Sequence, residues 1–550
     1  MKKVFFLLIL SLIMHSCARV GAPVGGDKDT LAPRFLGANI DSSRTKVPLL
    51  IRELRLDFDE YVNLKDIQKQ LIISPPIKNI KKIIPSNLAN KYVLIQWGDT
   101  LQANTTYGFN FGNAIVDNNE GNILPYFNFA FSTGEKLDSL YLAGTAQNAL
   151  STTNSEAQSK SNIVVGLYKA SDSINFREKP YYITKADKDG YFELEYLAQG
   201  KYKVIAFDDE NMNSVYDKGK ESLGFIKDEL NVTKGVSGLK LTLYPPKKEV
   251  KYKETKAIDG GLLLLFEGKP EKVDAKEITG LVQDYKVSHQ KFSDSVRVWF
   301  DAQKENLSSN QGTNLKFSYD TKVKKDTVQI FYRTNPKEEF TLKNNEGHLL
   351  PPNHPFRITA NMELKELNTQ QWELKVDSVS QQPFKAKIAE TSPNTIIIES
   401  DFQKEKKYHL FIPKESVSSF YKSNAKPYVF EFEADLPQNY GSVTIRLKNK
   451  PSAPFWIELL DQQNKVLSSR KTTEAEHKFT ELKPSTYYIR ILVDNNGNGI
   501  WDTADLVTNT PAEDYFVFPK KIEARQLWDL VEDWELPTQE TATENNNKEN

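Results

Sequence analysis

The chain has 550 residues, 39% hydrophobic, 26% charged and 11% aromatic, which at roughly 100–200 residues per domain means several domains. With 26 Gly, 26 Pro and a single Cys it is neither collagen-like, disulfide-dense nor wholly disordered. Lys and Arg number 72 against 73 Asp and Glu, a net charge of −1, so no bulk attraction to nucleic acid is expected.

Lys2 and Lys3 precede an apolar run, Val4 to Met14, whose polarity is broken only by Ser11. That length suits the apolar region of a signal peptide, whereas a spanning helix needs about 20 apolar residues. Cys17, the lone cysteine, follows directly. The arrangement resembles the lipobox of bacterial lipoproteins, where the sulfur is acylated and the chain is cut before it. The resemblance implies a signal peptide over 1–17, Cys17 as the lipidation site and a membrane reached through that anchor. No later apolar run approaches spanning length; the densest, Leu262 to Phe266, is strand-sized.

Residues 18–33, rich in Gly and Pro, read as a flexible tether. Beyond it the dominant pattern is period two, the alternation of half-buried strands. It is clearest in Leu54–Phe58, Val93–Trp97, Phe127–Phe131, Val296–Phe300, Thr327–Tyr332 and Tyr428–Phe432. Helical periodicity is nearly absent; Leu64 to Leu71 predicts a helix of about two turns. Short strands separated by turn residues predict an all-β chain of sandwiches. Thr538 to Asn550 is polar and low in complexity and reads as a disordered tail.

Two internal repeats sharpen the partition. From Tyr107, aromatics recur at +20, +22 and +24 (Phe127, Phe129, Phe131), and from Tyr408 they do so again (Tyr428, Phe430, Phe432). Upstream, Ile95 and Trp97 match Ile396 and Ile398. In the second repeat Leu197, Tyr202, Asp209, Asn211, Asn213, Val215, Tyr216 and Asp217 match Leu482, Tyr487, Asp494, Asn496, Asn498, Ile500, Trp501 and Asp502 at the same spacing.

Gly25-Gly26-Asp27-Lys28-Asp29-Thr30, Phe58-Asp59-Glu60-Tyr61-Val62, Asn104 to Tyr107, Asp117 to Asn122 and Phe131-Ser132-Thr133-Gly134 together resemble the modular envelope lipoproteins of diderm bacteria that carry an SbsA-type Ig-like domain. The two Asp-Asn segments, with Asp189-Gly190-Tyr191-Phe192, resemble prealbumin-like (carboxypeptidase-regulatory-like) domains. The expected order is therefore an SbsA-type Ig-like domain over 34–135 and a prealbumin-like sandwich over 136–247. Ig-like domains over 248–345 and 346–440 and a second prealbumin-like sandwich over 441–537 follow.

Catalytic patterns fail one by one. There is no H-E-x-x-H among the six His, Gly235-Val-Ser237-Gly238 is one residue short of a nucleophile elbow, and Gly268-Lys269-Pro270 lacks the rest of a P-loop. No enzyme and no organic cofactor are expected.

The Asp-Asn segments are the one candidate site. Asp494, Asn496, Asn498, Gly499, Asp502 and Asp505 fall at positions 1, 3, 5, 6, 9 and 12 of an EF-hand-type loop, with the Ile500 carbonyl at position 7. The loop resembles the calcium loops of B repeats in surface adhesins. The first copy keeps Asp209, Asn211, Asn213, Asp217 and the Val215 carbonyl, but has Ser214 at position 6 and Lys220 at position 12, so it must borrow Glu221 or Asp208. Few charges mean weak calcium binding; the other reading is a pair of hairpin loops built of turn-forming residues. A recurrent Asp-[Ser/Thr]-apolar triplet, as in Asp138-Ser139-Leu140 and Asp294-Ser295-Val296, resembles a bacterial O-glycosylation acceptor, although turn residues opening strands explain it better.

The expected function is that of a non-catalytic, lipid-anchored protein of the outer membrane, periplasm-facing or surface-exposed. It would serve as a modular spacer, a scaffold or a binding surface for an envelope protein or glycan. The alternative is a surface carbohydrate-binding protein or adhesin, with Trp372, Trp456 and Trp501 as candidate aromatic platforms, although each is better read as a core side chain.

Overall fold

The computed structural model describes residues 28–149, 162–171, 173–258, 260–307, 312–333 and 339–537. The apolar leader, Cys17 and the C-terminal tail lie outside the described residues. Among those described, no helix is long and apolar enough to cross a membrane.

Among the described residues, ten of the eleven sheets fall into five pairs along the chain, each pair closing over its own apolar core, and the eleventh is a two-stranded ribbon of the fourth module, Leu364–Leu367 with Val417–Ser419. All six alternating stretches are strands; burial alternates in four of them because successive side chains leave opposite faces, while in Phe127–Ser132 and Ser295–Phe300 consecutive residues are buried toward the end of the strand. In the first module, one sheet orders Phe35–Ala38, Glu53–Leu64, Asn90–Trp97 and Ile80–Ile84, with Ile115–Asp117 added on Glu53–Leu64. The facing sheet holds Ile72–Ser74, Thr106–Gly112 and Phe127–Ser132. The expected two-turn helix is a single turn, Ile67–Gln70. Leu64 still belongs to the preceding strand, and Asp66 at φ 49 breaks the path between them.

Both repeats have a structural cause. Tyr107 lies opposite Phe131 and Phe109 opposite Phe129 in antiparallel register; Tyr408 opposes Phe432 and Leu410 opposes Phe430. The offset of 24 is thus the length of one hairpin, and directly opposed pairs are the unit of sheet stabilisation. In each copy the tyrosine hydroxyl also accepts the backbone N–H five residues upstream, Gln102 at 2.9 Å and Gln403 at 2.6 Å. In the second repeat the hydroxyl donates instead, Tyr202 to the Ala198 carbonyl at 2.8 Å and Tyr487 to the Lys483 carbonyl at 2.9 Å. A buried phenol needs such a partner, which ties ring position to loop length.

The second and fifth modules share a topology. In one, Leu140–Asn148 runs between an antiparallel strand, Tyr191–Leu197, and a parallel one, Val236–Leu243. In the other, Gly441–Lys448 sits likewise between Glu476–Leu482 and the parallel Asp529–Glu535. Some features read as motifs are architectural. Asp117 is 2% exposed and accepts the N–H groups of Asn119, Glu120, Gly121 and Asn122 at 2.7–3.0 Å, which folds the 117–122 loop around one carboxylate. Asp138-Ser139 and Asp294-Ser295 open the strands Leu140–Asn148 and Ser295–Phe300, as turn residues do.

Candidate functional site: the two Asp-Asn loops

The first loop leaves the strand Gly200–Asp208, the second the strand Ser485–Val493. Each places its first Asp at the end of a core strand, where it is buried: Asp209 has no exposed surface and Asp494 has 1%. Backbone N–H groups of the loop turn back onto that carboxylate. Asn213 and Ser214 donate to Asp209 at 3.0 and 2.9 Å, and Gly499 donates to Asp494 at 3.1 Å. Positions 4 and 6 are left-handed in both loops, at φ 60 and 61 in Met212 and Ser214 and φ 70 and 88 in Gly497 and Gly499. Ser214 therefore adopts the conformation that glycine takes for less strain. Position 3 accepts from the N–H of position 5 and position 5 from that of position 7 in each copy. The two side-chain amides at positions 3 and 5 point their N–H groups at the position 9 carboxylate, Asp217 or Asp502.

The structure brings together Asp209, Asn211, Asn213 and Asp217 in one loop and Asp494, Asn496, Asn498 and Asp502 in the other. It does not bring in Asp505. That carboxylate pairs with Lys247 at 3.3 Å and accepts the Val507 N–H at 3.1 Å. Instead each loop has a buried glutamate that position 12 numbering does not find. Glu221 is 1% exposed and accepts the Asp217 N–H at 2.9 Å, and Glu513 is 8% exposed and accepts the Asp502 N–H at 2.9 Å.

The loops differ in how their charge is met. In the second, the Lys471 ammonium lies 2.7 Å from Asp494. Burial opposes ionisation of Asp494, but Lys471 and the Gly499 N–H outweigh it and hold that carboxyl below its ordinary value. Each loop has one buried carboxylate oxygen without a hydrogen-bond partner, Asp494 Oδ1 in the second and Glu221 Oε1 in the first. Burial, with Asp209 and Asp217 nearby, pushes Glu221 up to about 7. Among the described residues, no three His, Cys, Asp or Glu side chains converge to hold a metal ion by themselves. Calcium takes six to eight oxygens, so Asn oxygens and carbonyls would have to complete either cage.

The second loop continues into residues 503–512, which lie against the module that carries the first. Ala504 and Leu506 join a buried cluster with Val164, Tyr168, Ile205 and Phe207. Tyr244 meets Trp501 at 5.9 Å and Tyr515 at 5.3 Å. Lys203, 6% exposed, donates to the carbonyls of Ile226 and Lys227 at 2.7 and 2.8 Å and to Asn509 Oδ1 at 2.6 Å.

The candidate platforms are all engaged. Trp372 is buried and donates to Ser416 at 2.9 Å, Trp456 lies under the Lys471 ammonium at 4.5 Å, and Trp501 donates to the Glu513 carbonyl at 3.2 Å.

Residues 29–133 match the model of a bacterial Ig-like domain. The N-terminal module is of this Ig-like kind. No curated protein matches the chain. Solved structures similar to it include the TIE protein of Bacillus anthracis, at 11% identity over 96% of this chain and 78% of that one, with a TM-score of 0.14. The S-layer protein rSbsC is 11% identical over 90% of this chain and 67% of its own, at a TM-score of 0.15. BcpA, the major pilin subunit of Bacillus cereus, is 10% identical over 73% and 99%, at 0.13. At such scores the likeness says nothing about how modules are arranged.

Proposed function

We propose that the chain is a non-catalytic cell-envelope protein, anchored through lipid on Cys17 and acting as a modular spacer, scaffold or binding surface. The observation that carries this reading is the bacterial Ig-like match over residues 29–133, which begins shortly after the leader and its cysteine. Outer-membrane attachment follows from Ala18, since an Asp after the acylated cysteine would favour the inner membrane in the general lipoprotein scheme. Protease added to intact cells tests the exposed face: cleavage means the outer surface, and protection that is lost when the envelope is opened means the periplasm. Purified mature chain should turn over no glycan, ester or peptide, and turnover abolished by one carboxylate or serine substitution would contradict the reading.

The Asp-Asn loops are weak calcium sites in this proposal, and the first is the better of the two. Its support is that Glu221, Asp209 and Asp217 lie together and burial with those acids raises Glu221, whereas in the second loop Lys471 already neutralises Asp494, even though Asp494 Oδ1, like Glu221 Oε1, has no hydrogen-bond partner. Extracellular modules work with dissociation constants of about 10⁻⁴–10⁻³ M. Calcium at ten times that constant should stabilise the fold by about 1.4 kcal/mol, and Mg²⁺ by much less. Glu221→Gln should abolish the first loop's share. In chelator the same substitution should not destabilise the chain, because an unpartnered buried charge costs about 1–3 kcal/mol. A melting temperature that ignores millimolar Ca²⁺, with no ion bound by calorimetry, would return both loops to the status of turns.

A further inference from the structure

The first and second modules leave an open groove of about 670 Å³ between them. Its floor has a local cause. After the single turn Ile67–Gln70 the chain adds two short strands, Ile72–Ser74 and Ile80–Ile84, each at the edge of a different sheet of the first module. No further strand covers this side of the sandwich. Ile67, Leu71, Ile73, Ile77, Ile80 and Ile83 therefore pack against the core while remaining only half-buried, and all six line the groove.

The second module supplies the other wall through Ile183 and Val215, and the rim through Arg177, Glu178 and Lys179. Polar contacts hold the walls together: the Ile183 N–H donates to Ser74 Oγ at 3.1 Å, Lys185 donates to the Lys69 carbonyl at 2.7 Å, and Lys78 pairs with Glu178 at 3.6 Å.

The lining selects an occupant. Its apolar side chains are all aliphatic, and its polar ones, Ser214 apart, are exposed. A peptide laid in the groove would leave backbone N–H and C=O groups without partners, whereas an alkyl chain has none to satisfy. The volume lies within the range of about 300–1,000 Å³ typical of small-molecule sites. Charge selects the head group. The rim carries Lys78, Arg177 and Lys179 against Glu178, and Glu178 is taken up by Lys78. Arg177 and Lys179 are left without a carboxylate partner among the described residues. Residues 65–82 strengthen the bias, with Lys65, Lys69, Lys81 and Lys82 besides Lys78 against Asp66 alone.

We propose that this groove holds the alkyl chain of a fatty carboxylate, whose head is met at the rim by Arg177 and Lys179. The proposal goes beyond the scaffold reading and does not depend on it.

The test is calorimetric titration of the chain from Ala18 onward, which contains every described residue, with decanoate and dodecanoate below their micelle concentrations. Binding should saturate at one site and tighten about fourfold for each CH₂, hence about fifteenfold between the two probes. Arg177→Glu combined with Lys179→Glu should weaken dodecanoate about tenfold and strengthen dodecyltrimethylammonium. Both residues are exposed, so the melting temperature should not move. No saturable binding, no dependence on chain length, or equal binding of dodecanoate by wild type and the double variant would each overturn the proposal. So would a ligand-free dimer in sedimentation that Ile77→Asp abolishes, which would give the groove to a second copy. Each of these results leaves the scaffold reading standing.

Discussion

Phe131→Ala should destabilise the N-terminal module by about 3–5 kcal/mol, the range for truncating a buried phenylalanine. Phe131 has no exposed surface and stacks on Tyr107 and Phe109 with ring centroids 5.8 Å apart in both pairs. Its removal takes away the ring that opposes Tyr107 in register and leaves a cavity between two sheets. Domains are stable by only about 5–15 kcal/mol, so about a fifth or more of the total is at stake. Urea unfolding should show the earliest transition moving to lower urea while the others stay in place. Phe331, 62% exposed, is the control, and truncating it should shift nothing by more than about 0.5 kcal/mol. Equal effects at the two positions would contradict the two-sheet core.

The second large effect is expected at Lys203. Its ammonium is almost fully buried and holds two carbonyls of its own module together with Asn509 of the C-terminal module. Burial pulls its pKa down, yet three short hydrogen bonds keep the charged form in place. Lys203→Ala takes this donor from the Ile226 carbonyl and Asn509 Oδ1, while the Lys227 carbonyl keeps only the Asn509 amide at 3.1 Å. Each buried acceptor left unsatisfied in this way costs about 1–3 kcal/mol, so two of them cost a few kcal/mol together. Because Asn509 lies across the seam, the loss should also expose residues 503–512. Limited proteolysis should cut the variant there while wild type resists. A variant as resistant as wild type would mean that the seam does not depend on this lysine.

The all-β class and most of the strands were legible because period two survives wherever one face of a sheet is buried. The repeats were legible for a more specific reason. Spacings of 20, 22 and 24 from Tyr107 and Tyr408 are hairpin register, and the Leu-x4-Tyr interval is set by a hydroxyl closing onto the carbonyl four residues upstream. The Asp-Asn loops were only half legible. Counting twelve positions leads to Asp505, whereas the buried acid that meets the position 9 backbone is Glu513, beyond the segment diverted to the seam. In the first copy no such diversion intervenes, and Glu221 lies close behind Asp217. The seam itself was invisible, since Lys203 and Asn509 are 306 residues apart and no local pattern marks either. Aromatic identity alone does not make a platform for a related reason: Trp372, Trp456 and Trp501 are the right residue type, but each is covered or bonded by neighbours distant in sequence, in keeping with their reading as packed side chains.

The most direct measurement is to grow cells with a labelled fatty acid and to fractionate wild type beside Cys17→Ala. A lipid-anchored envelope protein should take up label in the wild type and sediment with outer membranes, because two or more acyl chains at about 0.8 kcal/mol per buried CH₂ give stable attachment. The variant should carry no label and be absent from the membrane fraction. A wild-type chain that takes up no label, or a Cys17→Ala chain that stays equally membrane-bound, would contradict the anchor and with it the envelope scaffold.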